Sequence, residues 1–204
     1  MSLLGKTHGK LVHSRRVERI SEELSRLFSP NAQILDVGCG DGLIPKLIKS
    51  KRPDVEIQGI DVLVRGETHV PVTEFDGKTI PFPDKSFDAV MFVDVLHHTD
   101  DPMVMLREAV RVSRKNIILK DHTDNGFLSN FTLRFMDWIG NKPHGVVLPY
   151  NYWKKETWEI AIRELNLKTE FWEKDLKLYP NPADLIFGRS LHFVAKLKLA
   201  DAQN

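Results

Sequence analysis

The chain has 204 residues, 42% of them hydrophobic, and 29 Lys and Arg nearly balance 28 Asp and Glu for a formal charge of +1. That length and apolar content predict one domain, 1–204, with a sizeable core. Near-neutrality gives no global field for nucleic acid, so no nucleic-acid partner is expected. No apolar run approaches a membrane span, and no uninterrupted h-region opens the chain, so neither a span nor secretion is expected. The single cysteine, Cys39, cannot close an internal disulfide, which agrees with a reducing, cytoplasmic setting.

Val17, Ile20, Leu24, Leu27 and Phe28 recur at helical spacing and predict a helix over 9–28, closed by Ser29-Pro30-Asn31. Lys6, Lys10, Arg15, Arg16 and Arg19, with His8 and His13, make this arm of residues 1–29 locally basic. It reads as a solvated helix face rather than a phosphate or membrane patch. Strands follow at 33–37 and 55–61, with a helix at 42–51 between them. A short strand is expected near 72–76, a fourth at 87–93, a helix at 102–112 with Pro102 at its favoured first position, and a fifth strand at 116–120. Alternation of strand and helix predicts a mostly parallel sheet with helices on both faces. Such sheets bind ligands beyond the carboxyl ends of their strands.

Residues 121–152 break the rhythm. They are rich in aromatic and polar side chains, among them Phe127, Phe131, Phe135, Trp138, His144, Tyr150 and Tyr152. A short amphipathic helix is expected at 132–139 and a turn at 140–145. A helix at 153–166, a strand at 167–172 and a final strand at 191–199 complete the chain, with Pro180 and Pro182 in the loop before the last.

The most informative stretch is Ile34-Leu35-Asp36-Val37-Gly38-Cys39-Gly40-Asp41-Gly42. A buried strand runs into a glycine turn and then into a helix N-terminus, where backbone N–H groups face a ligand. A dinucleotide fingerprint needs G-x-G-x-x-G. Here Leu43 stands where the third glycine would fall, which weakens a pyrophosphate reading. Asp36 before the turn suits a ligand with a cation close to the loop. Further on, Val55 to Asp61 reads as a strand ending in a carboxylate that can accept from two ribose hydroxyls. Val62 offers an apolar face. Phe75-Asp76-Gly77, Ile80 to Asp88, and Val93-Asp94-Val95-Leu96-His97-His98 follow in order.

In this order the segments resemble the class I S-adenosylmethionine-dependent methyltransferases, of the type 11 kind and the small-molecule branch. Asp36 to Gly42 is similar to that family's D-x-G-C-G-x-G loop. The resemblance is specific over about 30–125. It implies a Rossmann-like, doubly wound, mostly parallel seven-stranded sheet with one antiparallel strand, and an aromatic cap inserted after strand five. It implies S-adenosylmethionine as cofactor, S-adenosylhomocysteine as product and a small-molecule acceptor. It assigns Asp36, Gly38, Cys39, Gly40, Asp61, Val62, Asp76, Gly77, Val93, Asp94 and His97 to the cofactor, with Asp76 accepting from the adenine amino group. Residues 121–152 become a substrate lid, with Tyr150, Tyr152 and Trp153 toward the acceptor.

Methyl transfer from a sulfonium needs a base only if the acceptor must lose a proton. His98 and His122 are the candidates, with His97 close by and Asp94 and Asp121 as partners. No metal is expected, because Asp121, His122, Asp124 and Asn125 are spaced as a turn rather than as a ligand set. Two other readings stay open: a methyltransferase-like module that binds cofactor or partner without turnover, and a nucleotide-dependent oxidoreductase.

Overall fold

The computed structural model describes residues 3–141, 149–181, 183–188 and 191–200. Seven strands form one sheet: β1 (Gln33–Val37), β2 (Glu56–Asp61), β3 (Val72–Glu74), β4 (Phe87–Val93), β5 (Ser113–His122), β6 (Leu167–Glu173) and β7 (His192–Leu199). Their order is β3-β2-β1-β4-β5-β7-β6. All pairs from β3 to β5 are parallel. β7 runs against both β5 and β6, as the one antiparallel strand.

Period-2 alternation explains how strands without a polar face fill two cores. Leu35, Val37, Val90, Phe92, Ile117 and Leu119 join one buried cluster, beneath α3 (Pro102–Val112) and α5 (Lys155–Glu164). Ile34, Met91, Ile118 and Val194 join the other, beneath α1 (Leu3–Ser25) and α2 (Leu43–Lys51). Two further helices are α4 (Ser129–Asn141) and α6 (Ala183–Phe187). One turn of 3-10 helix, Leu96–His98, follows β4.

The departures from expectation have local causes. α1 spans 3–25 rather than 9–28, since Leu27 N bonds Leu24 O and the chain already turns there. β5 runs to His122, past the expected end at 120, because its register with β7 continues to His122↔His192. The insertion after β5 therefore begins at 123. α6 was not expected; it fills the loop placed around Pro180 and Pro182. Most of the turn at 140–145, and His144 with it, lies outside the described residues. No described helix is long and apolar enough to cross a membrane.

α3 starts as its sequence dictates. The Asp101 side chain accepts from Met103 N at 2.9 Å, and Pro102 occupies the first turn. Asp101→Ala removes this cap and should cost about 1 kcal/mol. Urea unfolding should show a lower midpoint at unchanged slope.

Candidate functional site

β1 ends at Val37 and the chain turns at once. Gly38 and Gly40 hold φ of 73° and 60°, which glycine adopts without steric penalty. A Cβ on Gly38 would stand 2.6 Å from Val95 Cγ2, so packing closes that position. Gly40 differs: the nearest atom to its Cβ position is Arg65 Nε, at 4.0 Å. Two carboxylates flank this open hollow. Asp61, at the end of β2, accepts from Gly40 N at 2.8 Å and from Leu63 N at 3.0 Å. Asp36 is only 2% exposed, and its Oδ1 has no hydrogen bond. Burial first, and Asp61 second, hold its carboxyl well above the usual range. Cys39 turns toward Gly59, where a Cβ would overlap its Sγ. Burial, then Asp36, push its thiol up, so it is not a nucleophile.

Beyond Asp61, Val62 is exposed. The Cβ position of Gly77 lies 3.0 Å from Val62 Cγ1, so the 75–77 segment closes against it. Asp76, exposed beside them, accepts through Oδ1 from Lys78 N at 2.8 Å and Thr79 N at 2.7 Å. The bonds from Thr79 and then Lys78 lower its carboxyl.

A second group of side chains gathers at the ends of β4 and β5. Val93 closes β4, and Asp94 follows it with φ 57°. Arg16 of α1 and Lys120 of β5 both donate to the Asp94 carboxylate. Burial raises that carboxyl, but Lys120 and Arg16, with His122 and His97, outweigh it and hold it well below the usual range. Lys120 is fully buried, and burial brings its ammonium down to about 8 against the pull of Asp94. Its Nζ also lies 3.3 Å from His192 Nδ1. His192 Nε2 meets the Phe187 carbonyl at 3.1 Å and therefore carries the proton.

Asp121 is the other anchor. Its Oδ1 faces His97 Nδ1 at 2.6 Å and His122 Nδ1 at 3.3 Å, and accepts from His122 N at 2.8 Å. Its Oδ2 accepts from Leu96 N at 3.1 Å. Burial raises the Asp121 carboxyl, but His97 and His122 outweigh it, so the group stays ionised. An ionised carboxylate only accepts, so both Nδ1 atoms are the protonated ones. Burial and then Lys120 push the His122 imidazole down to about 4, against Asp121. The His97 ring lies 4.1 Å from His98, 4.7 Å from His122 and 5.1 Å from Tyr152. Ligand atoms of His97, Asp121 and His122 lie within 4.8 Å of one another. Metal ligation there would require both imidazoles to give up the protons they place on Asp121.

The predicted residues thus fall into two neighbourhoods. Asp36, Gly38, Gly40 and Asp61 surround the loop, with Val62, Asp76 and Gly77 beside them. His97, His98, His122 and Tyr152 cluster at β4 and β5, and Tyr150 lies 6.4 Å from Tyr152 beneath the Arg134 guanidinium. Trp153 departs: its ring packs 4.8 Å from Trp158, on the core side. Arg16, expected on a solvated face, turns inward to Asp94. Sequence reasoning gave Lys120, His192 and Tyr179 no role, although Tyr179 also bonds Arg16. The available signal was a lysine closing the apolar run Ile117-Ile118-Leu119 and a histidine opening β7.

Residues 35–119 match the family described as Methyltransferase domain. Among curated relatives, 27-O-demethylrifamycin SV methyltransferase of Amycolatopsis mediterranei is 29% identical over 111 residues, 47% of this chain and 40% of that protein. Demethylmenaquinone methyltransferase of Thermotoga maritima is 33% identical over 90 residues, 41% and 39% of the two chains. The matches thus span less than half the length of either relative. An S-adenosylmethionine-dependent methyltransferase from Aquifex aeolicus superposes at a TM-score of 0.63 with 16% identity, covering 96% of this chain and 98% of its own. The matched core and the strand order define a methyltransferase fold. The chain belongs to the class I S-adenosylmethionine-dependent methyltransferase family.

Asp36 yields a test on the free protein. Its carboxyl is raised from the ordinary value of 3.8, so the native state keeps this proton to higher pH than the unfolded chain does. Its contribution to stability therefore falls as pH rises above about 4, toward the raised value. Asp36→Asn should melt higher than the parent near pH ~7, with the gain shrinking toward pH ~4. Calorimetric melts across that range check this; a gain independent of pH would count against it.

Proposed function

We propose that the protein transfers a methyl group from S-adenosylmethionine to a small-molecule acceptor. The observation that carries this reading is the hollow over Gly40, bordered by Asp61 and by the buried Asp36 oxygen that has no hydrogen bond. Burying a carboxyl without a partner is costly. A ligand bearing an ammonium beside an amino-acid carboxylate removes that cost, and a pyrophosphate does not. When bound, the cofactor supplies an electrophilic methyl on sulfur and leaves as a neutral thioether.

In this reading Asp36 receives the ammonium, and the backbone of Gly38, Cys39 and Gly40 admits the amino-acid end. Asp61 keeps its hold on Gly40 N and takes ribose hydroxyls on its remaining lone pairs. Val62 and Gly77 form the apolar wall for the adenine, and the second oxygen of Asp76 takes its amino group. Val93, Asp94 and His97 border the cofactor at β4. Asp94 does so by its backbone, because Arg16 and Lys120 hold its carboxylate.

The acceptor side is assigned to His98, His122, Tyr150 and Tyr152, with Trp153 bracing them from the core. His122 is neutral at physiological pH, with Nδ1–H on Asp121, so its other nitrogen can take an acceptor proton. Asp121 then stabilises the imidazolium that forms. Small acceptors named for the two curated relatives, 27-O-demethylrifamycin SV and demethylmenaquinone, support a small-molecule acceptor here.

Titration calorimetry with S-adenosylhomocysteine tests the cofactor assignment. The parent chain should bind, Gly40→Val should not, and NAD should not compete. Asp61→Ala should weaken binding by about 2–4 kcal/mol. Affinity should rise with pH until Asp36 is ionised, because the ammonium favours the charged carboxylate. Binding of NAD but not of the thioether would overturn the proposal.

The segment from 123 to 152 is proposed as the lid over the acceptor. Its amide hydrogens should exchange faster than those of β1 and β4 in the free protein, and slow once cofactor and acceptor are bound. Exchange as slow as the sheet, unmoved by ligand, would make the segment a fixed part of the core.

A further inference from the structure

The carboxyl edge of the sheet carries two features that the proposed reaction leaves unused. The first is the outer face of α4 and the residues leading into it. Phe127, Phe131, Phe135 and Trp138 follow one another at intervals of four, four and three, which places them in one stripe. They are 86%, 69%, 44% and 47% exposed, and Leu128 stands with them at 56%. The opposite side of the same helix buries Thr132 and Leu133. A soluble face spends its large apolar side chains inward, so an aromatic stripe turned outward marks a surface meant to be covered.

The second feature is α1. Ile20 and Leu24 pack in the core with Ile34 and Ile48, whereas Arg16 reaches Asp94 at the carboxyl end of β4. α1 therefore climbs toward the carboxyl edge as it is followed back to Leu3, which lies about 20 Å further along its axis. From Leu3 to Arg16 the sequence holds Lys6, Lys10, Arg15 and Arg16 and no acidic residue; the first is Glu18. α4 leaves from the carboxyl end of β5, so both features belong to one edge.

We infer that this edge docks onto an anionic phospholipid bilayer, with the aromatic stripe of α4 entering the interface and the basic arm of α1 facing the headgroups. Aromatic rings favour the headgroup boundary, and lysines near an anionic surface add electrostatic attraction. Arg134, exposed between Phe131 and Phe135, completes the pattern. A second copy of the chain suits the edge less well. Two-fold pairing would set one acid-free arm against the other.

Co-sedimentation with vesicles tests this on the full chain. The protein should pellet with vesicles of phosphatidylglycerol and phosphatidylcholine, and less with phosphatidylcholine alone. Lys6→Glu with Lys10→Glu, and separately Phe131→Ser with Phe135→Ser, should each weaken binding by about tenfold or more. Melting temperatures of both variants should stay near the parent's, which separates lost docking from lost folding. Three outcomes would overturn the inference: no binding to the anionic vesicles, binding that survives the aromatic substitutions, or a dimer that dissociates when Phe131 and Phe135 are replaced.

Discussion

Everything at the carboxyl edge depends on one topological constraint: the sheet grows in both directions from β1. β2 and β3 lie on one side and β4, β5, β7 and β6 on the other. Two connections leaving a strand toward opposite sides cannot both cover its end, so a crevice opens there. Register then places the chemistry. Val37 stands opposite Ile60 on one side and Phe92 on the other, so the residues that follow these three positions become neighbours. The glycine turn, Asp61 and Asp94 are each the next step beyond a paired, buried strand. Their side chains inherit the precision of the ladder rather than that of a loop.

Three acidic side chains at this edge meet different fates under similar burial. Asp94 is offset by two cations, and Asp121 by two imidazoles and two backbone amides. Each stays ionised, because ion pairing and hydrogen bonding outweigh desolvation. Asp36 lies one residue from the turn with nothing opposite Oδ1, and desolvation wins. A fold selected for stability alone would place a neutral residue at 36. The penalty is retained at the point where an external cation can remove it, which is how a binding site differs from a structural polar cluster.

The first half of the chain was readable because its functional residues are local. Asp36 to Gly42, Asp61 and Asp76 announce themselves through glycine, an acid at a strand end and a turn, and each keeps its meaning without a distant partner. The network around β5 was not readable, because its meaning is pairwise over long separations. Arg16 meets Asp94 across 78 positions, His97 meets Asp121 across 24, and Lys120 meets His192 across 72. Read singly, Lys120, Asp121 and His122 look like the start of a loop. They remain in the strand because β7 pairs with all three and their polar groups satisfy one another. Arg16 was misjudged for the same reason: its neighbours along α1 are cations, and only the folded chain supplies its anion.

The contact between Cys39 and Gly59 joins two adjacent strand ends through volume. The sulfur occupies the space where a side chain on β2 would stand, so positions 39 and 59 share room for one substituent. A bulkier residue at either requires a smaller one at the other, and exchanging them changes which strand fills the gap. The same enclosure keeps the thiol protonated and screened. Oxidants and alkylating reagents that act through a thiolate have no handle on this loop, although the chain's only sulfhydryl lies within it.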